Sequence, residues 1–322
     1  MKRYIFRRLL HAAALLVLVS LLSFALLQLA PGNYTDGMRL DPGVSGQTIA
    51  AWRSRYGLDR PLIAQYSSWL VSAARGEFGF SFGYGVPVGS LLWPRMKNTL
   101  LLTAAAAMMS WVVALLLGVG VAASRNRALD SMVQAALSVL HSIPDLLIAL
   151  ALLLIAVRSG KLPVGGMGGL SSSGSMLAGA ADVAAHLALP VLALVLAALP
   201  VLARHVEAAV RESMDAPFVQ AARGLGVPRR RLWFAYTLPA AANPLISLFG
   251  YSIGGLLSSS LLIEVIMGWP GLGPMLLEAI FSRDIQVVIG ATLASALFLI
   301  AGNLIADFLI YAVDPRIRQE NG

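Results

Sequence analysis

An all-α membrane protein with about six transmembrane helices is the fold class this sequence predicts, and three observations predict it. Over 322 residues the mean hydropathy is +0.76, 58% of the residues are hydrophobic and only 12% are charged. So much apolar surface could not be hidden from water in one soluble core. The apolar residues also gather into runs of about 20, the length a helix needs to cross a hydrocarbon layer roughly 30 Å thick at about 1.5 Å per residue. Finally, none of the runs alternates as a barrel strand would, and an open sheet would leave unpaired edges in lipid.

The candidate spans are Leu9 to Ala30, Asn98 to Ala123, Met132 to Val157, the shorter Leu187 to Ala203, Pro244 to Met267 and Val287 to Val313. Orientation follows from the bias of basic residues toward the inner face. With the N-terminus cytoplasmic, Lys2, Arg3, Arg7, Arg8, Arg125, Arg127, Arg204, Arg211, Arg223, Arg229, Arg230, Arg231, Arg316 and Arg318 all fall inside. The two short outer loops hold only Arg158, Lys161 and Arg283. Both termini are therefore expected in the cytoplasm, although Arg95 and Lys97 stand on the outer side of the second span. A cleaved signal peptide is the rival reading of the basic N-terminus, but its apolar run is longer than a usual signal segment.

The chain divides accordingly. Residues 1–30 form a tail and first span, 31–97 an extracytoplasmic segment, 98–313 the membrane core with a cytoplasmic loop at 204–243, and 314–322 a cytoplasmic tail. In the outer segment, amphipathic spacing at Ile63, Tyr66, Trp69 and Leu70 followed by glycine turns predicts a small folded cap. Arg158 to His186, with "PVGGMGGLSSSGS", predicts a flexible connection.

Composition and motifs exclude several function classes. The net charge of +8 sits at the ends of apolar runs rather than as a basic stripe on a soluble module, so no nucleic-acid partner is expected. With no cysteine, there are no disulfides, thiol nucleophiles or cysteine metal sites. No His-Glu-x-x-His and no phosphate-cradling Gly-x-x-x-x-Gly-Lys-Ser/Thr occurs. "GYSIG" at 250–254 matches the Gly-x-Ser-x-Gly of hydrolases, but Ser252 falls inside a predicted helix, where glycines spaced by four serve close packing. Three acidic residues lie within spans, where a charge is costly and faces protein or water. Asp145 and Glu264 are candidate pathway residues, each with a structural alternative: an interhelical hydrogen bond for Asp145 and a turn-fixing role for Glu264. Asp307 is expected to be structural.

The loop contains "QAARGLGVPRRRLWFAYTLP" at 220–239. Pro217 favours a helix start, Gly224 and Gly226 admit a turn, and Pro228 suits the first turn of a second helix through Thr237. Arg229, Arg230 and Arg231 beside Leu232, Trp233 and Tyr236 would let that second helix lie along the membrane interface, held by anionic headgroups. This spacing resembles the EAA loop of ABC-importer permeases: Ala221, Ala222, Gly226, Leu238 and Pro239 fall in register, Gln220 stands for the usual glutamate and Tyr236 for the usual isoleucine. "YGLDRPL", "QYSSWL", "GEFGFS", "RMKNTL", "EVIMGWPGLG" and "DPRIR" are similar to segments of the dipeptide, oligopeptide and nickel permease family.

The resemblance implies a type I ABC importer permease-like fold in a bacterial or archaeal inner membrane, and a non-catalytic permease carrying peptides or a small solute such as a nickel complex. It also implies a second homologous permease subunit, two ATPase subunits that hold ATP and Mg, and an extracytoplasmic substrate-binding protein. Gln220, Ala221, Ala222, Gly226, Leu238 and Pro239 would couple the chain to an ATPase, and Tyr66 and Trp69 would receive the binding protein. No cofactor is expected on this chain. An ion-coupled secondary transporter is the alternative, and it would call for internal duplication.

Overall fold

The structure, a computed structural model, describes residues 2–29, 46–47, 54, 59–124, 126–168 and 176–313. Pro31 to Leu58 for the most part, Arg125 and the terminal "DPRIR" lie outside the described residues. Among the described residues the main elements follow in order: α1 (Lys2–Leu29), α2 (Leu62–Ala73), β1 (Phe80–Ser81), β2 (Val86–Pro87), α3 (Val88–Ala123), α4 (Arg127–His141), α5 (Asp145–Ser159), α6 (Met176–Asp215), α7 (Pro217–Gly224), α8 (Arg229–Met267, with a π turn at Leu232–Thr237), α9 (Leu272–Phe281) and α10 (Ile285–Val313). Five of these are long and apolar enough to cross a membrane, or six if the bent pair α4–α5 counts as one span. The strands are antiparallel, with Phe80 opposite Pro87.

The chain packs as two units. An N-terminal unit joins Arg7–Thr99 to Pro270–Leu297, and a central unit holds Leu100–Trp269 with both chain ends. The two segments expected outside the membrane, 31–97 and 267–286, thus fall largely in one unit.

In the N-terminal unit, α2 buries Trp69 and half-buries Tyr66 and Leu70 of the face that its spacing predicted, while Ile63 stays 84% exposed. Trp69 packs with Phe24 of α1 and Ile289 of α10, and Tyr66 donates its hydroxyl to the Val17 carbonyl at 3.2 Å while sharing a 2.9 Å hydrogen bond with Ser20. Asn98 donates to the Pro270 carbonyl at 2.8 Å, and Thr99 Oγ1 accepts from the Leu272 amide at 2.8 Å. These bonds tie the "RMKNTL" segment to the "GWPGLG" segment. Asp284, just before α10, accepts from Ser81 Oγ at 2.6 Å, from the Gly83 amide at 2.9 Å and from the Val287 amide at 3.4 Å, so it fastens the hairpin and caps the helix together.

In the central unit, small residues let helix backbones approach. A Cβ on Gly254 would lie 2.5 Å from Leu299, one on Gly302 would lie 2.5 Å from Ile253, and one on Gly250 would collide with Ala306, so α8 and α10 interlock through glycines. The "GYSIG" glycines therefore serve packing. Ser252 sits in mid-helix, donates to the Phe249 carbonyl at 2.7 Å and accepts from Trp111 Nε1 at 3.0 Å.

Four expectations are corrected. Met132 to Val157 is not one continuous span, because α4 and α5 meet at 93° across Ser142–Pro144, where proline removes a helical donor and disfavours helix for the residue before it. The short fourth span is the middle of the 40-residue α6, which runs through Pro190 and Pro200, and the connection expected through His186 becomes helix from Met176. The second helix of the cytoplasmic loop does not end at Thr237 but continues into the fifth span. By length, α6 is about 60 Å long and α8 nearly as long.

Candidate coupling loop and pathway cavity

The loop joining α6 to α8 is built by local rules. Ala216 has extended backbone angles, and Pro217 occupies the first turn of α7, where its missing amide costs nothing. At the other end the Val227 amide reaches the Ala222 carbonyl at 3.1 Å and the Gly226 amide reaches the Arg223 carbonyl at 3.1 Å. This pair of bonds is a Schellman stop, and it requires a left-handed residue at Gly226, whose φ is +76°. The apolar contact that accompanies such a stop joins Ala222 and Val227, which pack in one cluster with Val219, Leu232 and Tyr236. The four-residue spacing of Ala222 and Gly226 thus has a mechanical reason: one fills the cap's apolar contact and the other makes its turn.

The remaining loop residues are also accounted for. Gln220 donates Nε2 to the Met214 carbonyl at 2.9 Å, satisfying an acceptor in the last turn of α6. A glutamate's carboxylate could not donate that bond. Pro239 has no amide to continue the helical ladder, and the chain meets it with a π turn immediately before, in which the Leu238 amide bonds to the Trp233 carbonyl. Leu238 is half-buried and packs with the core of the central unit, while Pro239 is exposed. With Val219 and Ala222 facing inward, α7 presents Phe218, Ala221 and Leu225 outward at one helical spacing, Leu225 being 84% exposed.

A polar ladder that sequence reasoning missed runs up to this loop. Arg211 of α6 bonds to Asp130 of α4 at 2.9 Å and to Glu207 at 2.8 Å, Gln134 donates to Glu207, and Arg204 donates to Ser138 at 2.7 Å. Residues 130, 134 and 138 of α4 match 211, 207 and 204 of α6 in reverse order, so the helices run antiparallel there. The signal was the i, i+4 spacing of Asp130, Gln134 and Ser138, hidden because most of α4 was taken as membrane span.

Asp145, expected mid-span, begins α5 just after the bend. It does not cap that helix, since α5 has no side-chain cap; instead Oδ2 accepts from Ser259 Oγ of α8 at 2.7 Å. Both residues line a cavity of about 240 Å³ between α5, α6 and α8. Glu264 is fully buried in the last turn of α8, and its carbonyl accepts from the Trp269 amide at 2.9 Å across a left-handed Gly268. That is the same glycine stop as at Gly226, here between the buried Met267 and Trp269. Tyr66 and Trp69 face their own unit; Trp69 is 7% exposed and donates Nε1 to the Phe78 carbonyl at 3.3 Å. The apolar residues of α2 left exposed are Leu62, Ile63 and Val71. Among the described residues, no group of three His, Asp or Glu stands together to hold a metal.

Comparison with known proteins gives the family and the fold. Residues 1–103 match the N-terminal family of binding-protein-dependent transport system membrane components. The oligopeptide transport system permease protein AppB of Bacillus subtilis is 32% identical over 319 residues, covering 98% of this chain and 99% of that one. The dipeptide transport system permease protein DppB of Escherichia coli is 30% identical over 338 residues, covering 99% and 100%. Among solved structures, a chain of the MetNI methionine ABC transporter in an inward-facing conformation superposes with a TM-score of 0.56 at 20% identity, covering 70% of this chain and 96% of that one, which establishes the shared fold. Residues 114–319 span the glycine-stopped loop, the cavity and the interlocked helices, and they match the binding-protein-dependent transport system inner membrane component family, to which this chain belongs.

Proposed function

We propose that this chain is the permease subunit of an ATP-driven importer in a bacterial inner membrane, that it moves peptides, and that α7 is the element through which an ATPase drives it. The carrying observation is the construction of α7: a short helix held between α6 and α8, with Phe218, Ala221 and Leu225 turned outward and a glycine stop fixing its angle. Apolar side chains displayed on a helix outside the membrane suit a groove on another protein. Peptide cargo is supported by the relatives' names, and nickel complexes remain the chemically distinct cargo to test against it. The partners proposed are a second permease, two ATPases holding ATP and Mg, and an outer binding protein. Two packings of the same helices, one favoured by bound ATP, would alternate access to the pathway.

The test is uptake of a labelled tripeptide by the complete complex in vesicles, with and without ATP. Uptake that needs ATP and the binding protein is expected, while equal uptake without ATP would rule the reading out. Gly226→Val is expected to leave assembly of the permease pair intact and to lower transport per ATP hydrolysed, because a β-branched residue resists positive φ by about 1 to 3 kcal/mol. No Cβ contact lies within 4 Å of Gly226, so the strain would come from the backbone angle alone.

A further inference from the structure

The cavity beside Asp145 has a chemistry that the coupling loop does not explain. Tyr251 to Ser259 surround the midpoint of the fifth apolar run and Leu194 that of the fourth, so the proposed spans put the cavity at mid-depth. A carboxylate at that depth is costly unless something of opposite charge or several donors meet it. The structure gives Asp145 a single side-chain donor, Ser259 Oγ, and among the described residues no Lys, Arg or His forms an ion pair with it. Its position in the first turn of α5 is not explained by capping. Ser252, on the same wall, already has both a donor and an acceptor within the protein. Tyr251, by contrast, is 77% exposed and offers an aromatic ring to the same space.

A carboxylate with remaining acceptor capacity, an aromatic ring and otherwise small or apolar walls form the chemistry that receives an ammonium group. Metal ions are poorly served by one carboxylate and one serine hydroxyl. We infer that the Asp145 cavity is a cargo subsite that binds the free amino terminus of a peptide during passage. Ser259 is a positioning residue, holding the carboxylate toward the space. The inference rests on the proposed peptide cargo and assigns one group of that cargo to one side chain.

Two variants separate cargo binding from a mere staple between α5 and α8: Ser259→Ala removes the Asp145–Ser259 bond and keeps the charge, whereas Asp145→Asn removes the charge and keeps an amide oxygen that can still accept the Ser259 hydroxyl. In complete complexes with the same binding protein, Asp145→Asn is expected to lower ATP-dependent uptake of trialanine about tenfold, and Ser259→Ala by about threefold or less. A second readout uses the absence of native cysteine. Gly255→Cys places a thiol on the cavity wall at a position where an added Cβ meets nothing within 4 Å. Trialanine should slow its labelling by a small thiol reagent, N-acetyl-trialanine should not, and Asp145→Asn in the same chain should abolish the protection. Equal losses in the two uptake variants, or equal protection by the free and acetylated peptides, would overturn the subsite. So would parental uptake in Asp145→Asn. If the parent complex itself takes up no trialanine with ATP, the peptide reading falls and the subsite with it, an outcome distinguishable from failure of the subsite alone.

Discussion

Asp284 and Asp145 are both aspartates that open a helix, yet the protein treats them in opposite ways. Asp284 is 1% exposed and receives a serine hydroxyl, a hairpin amide and an amide of its own helix. Its acceptor sites are filled from three directions, and the hairpin, the loop before α10 and the helix start meet on it. Asp145 receives one hydroxyl and faces a cavity. A carboxylate saturated by the chain's own donors is a fastening, whereas one left with capacity beside open space is available to a visitor. Glu207 is an intermediate case, paired with Arg211 and Gln134 where α4 and α6 meet.

The sharpest way to break this contrast is to remove each carboxylate in turn. Asp284→Ala is expected to destabilise the N-terminal unit by about 3 to 5 kcal/mol, since three donors lose their acceptor inside the structure. Limited proteolysis and thermal unfolding in detergent should register it, and a variant as resistant as the parent would show that the hairpin does not depend on Asp284. Asp145→Ala should leave the unfolding midpoint within a few degrees of the parent while uptake falls, because one hydroxyl bond of about 1 kcal/mol is all the fold loses. A collapse of stability would instead make Asp145 a second fastening.

Smaller effects sharpen the scale. Arg211→Met should loosen α4 from α6 by about 1 kcal/mol, as expected for a pair whose arginine is partly exposed, with faster hydrogen exchange in Arg127–His141 as the readout. Unchanged exchange would mean that apolar packing alone seats α4. The smallest effect is confined to alkaline pH. Burial, and then the hydrogen bond Tyr84 donates to Glu278, push the Tyr84 hydroxyl from 10.0 up to about 12. The folded state therefore holds this proton more tightly, and its stabilising contribution is complete below pH about 10 and is lost as pH rises through about 12. Tyr84→Phe should flatten that part of the stability profile and leave neutral pH nearly untouched; an unaltered alkaline slope would assign it to other groups.

What the sequence determined by itself is whatever a short stretch of chain and the membrane decide between them. Lipid demands internally bonded helices of a set minimum length, so the long apolar runs could be placed from composition alone, and they were misjudged where a helix runs on past its apolar stretch and where Ser142–Pro144 breaks one. The loop at 217–239 was legible for a similar reason: a proline start, the apolar Ala222 and a left-handed Gly226 act through bonds spanning five residues or fewer. Residues distant in sequence decided the rest. Trp69 became core because Phe24 and Ile289 cover it, and Asp145 became a cavity residue because the bend at Ser142–Pro144 brings it against Ser259, 114 positions away. Amphipathic spacing says that a helix has a face to bury, but only the packed neighbours determine what that face meets and whether a polar group is left with capacity to bind.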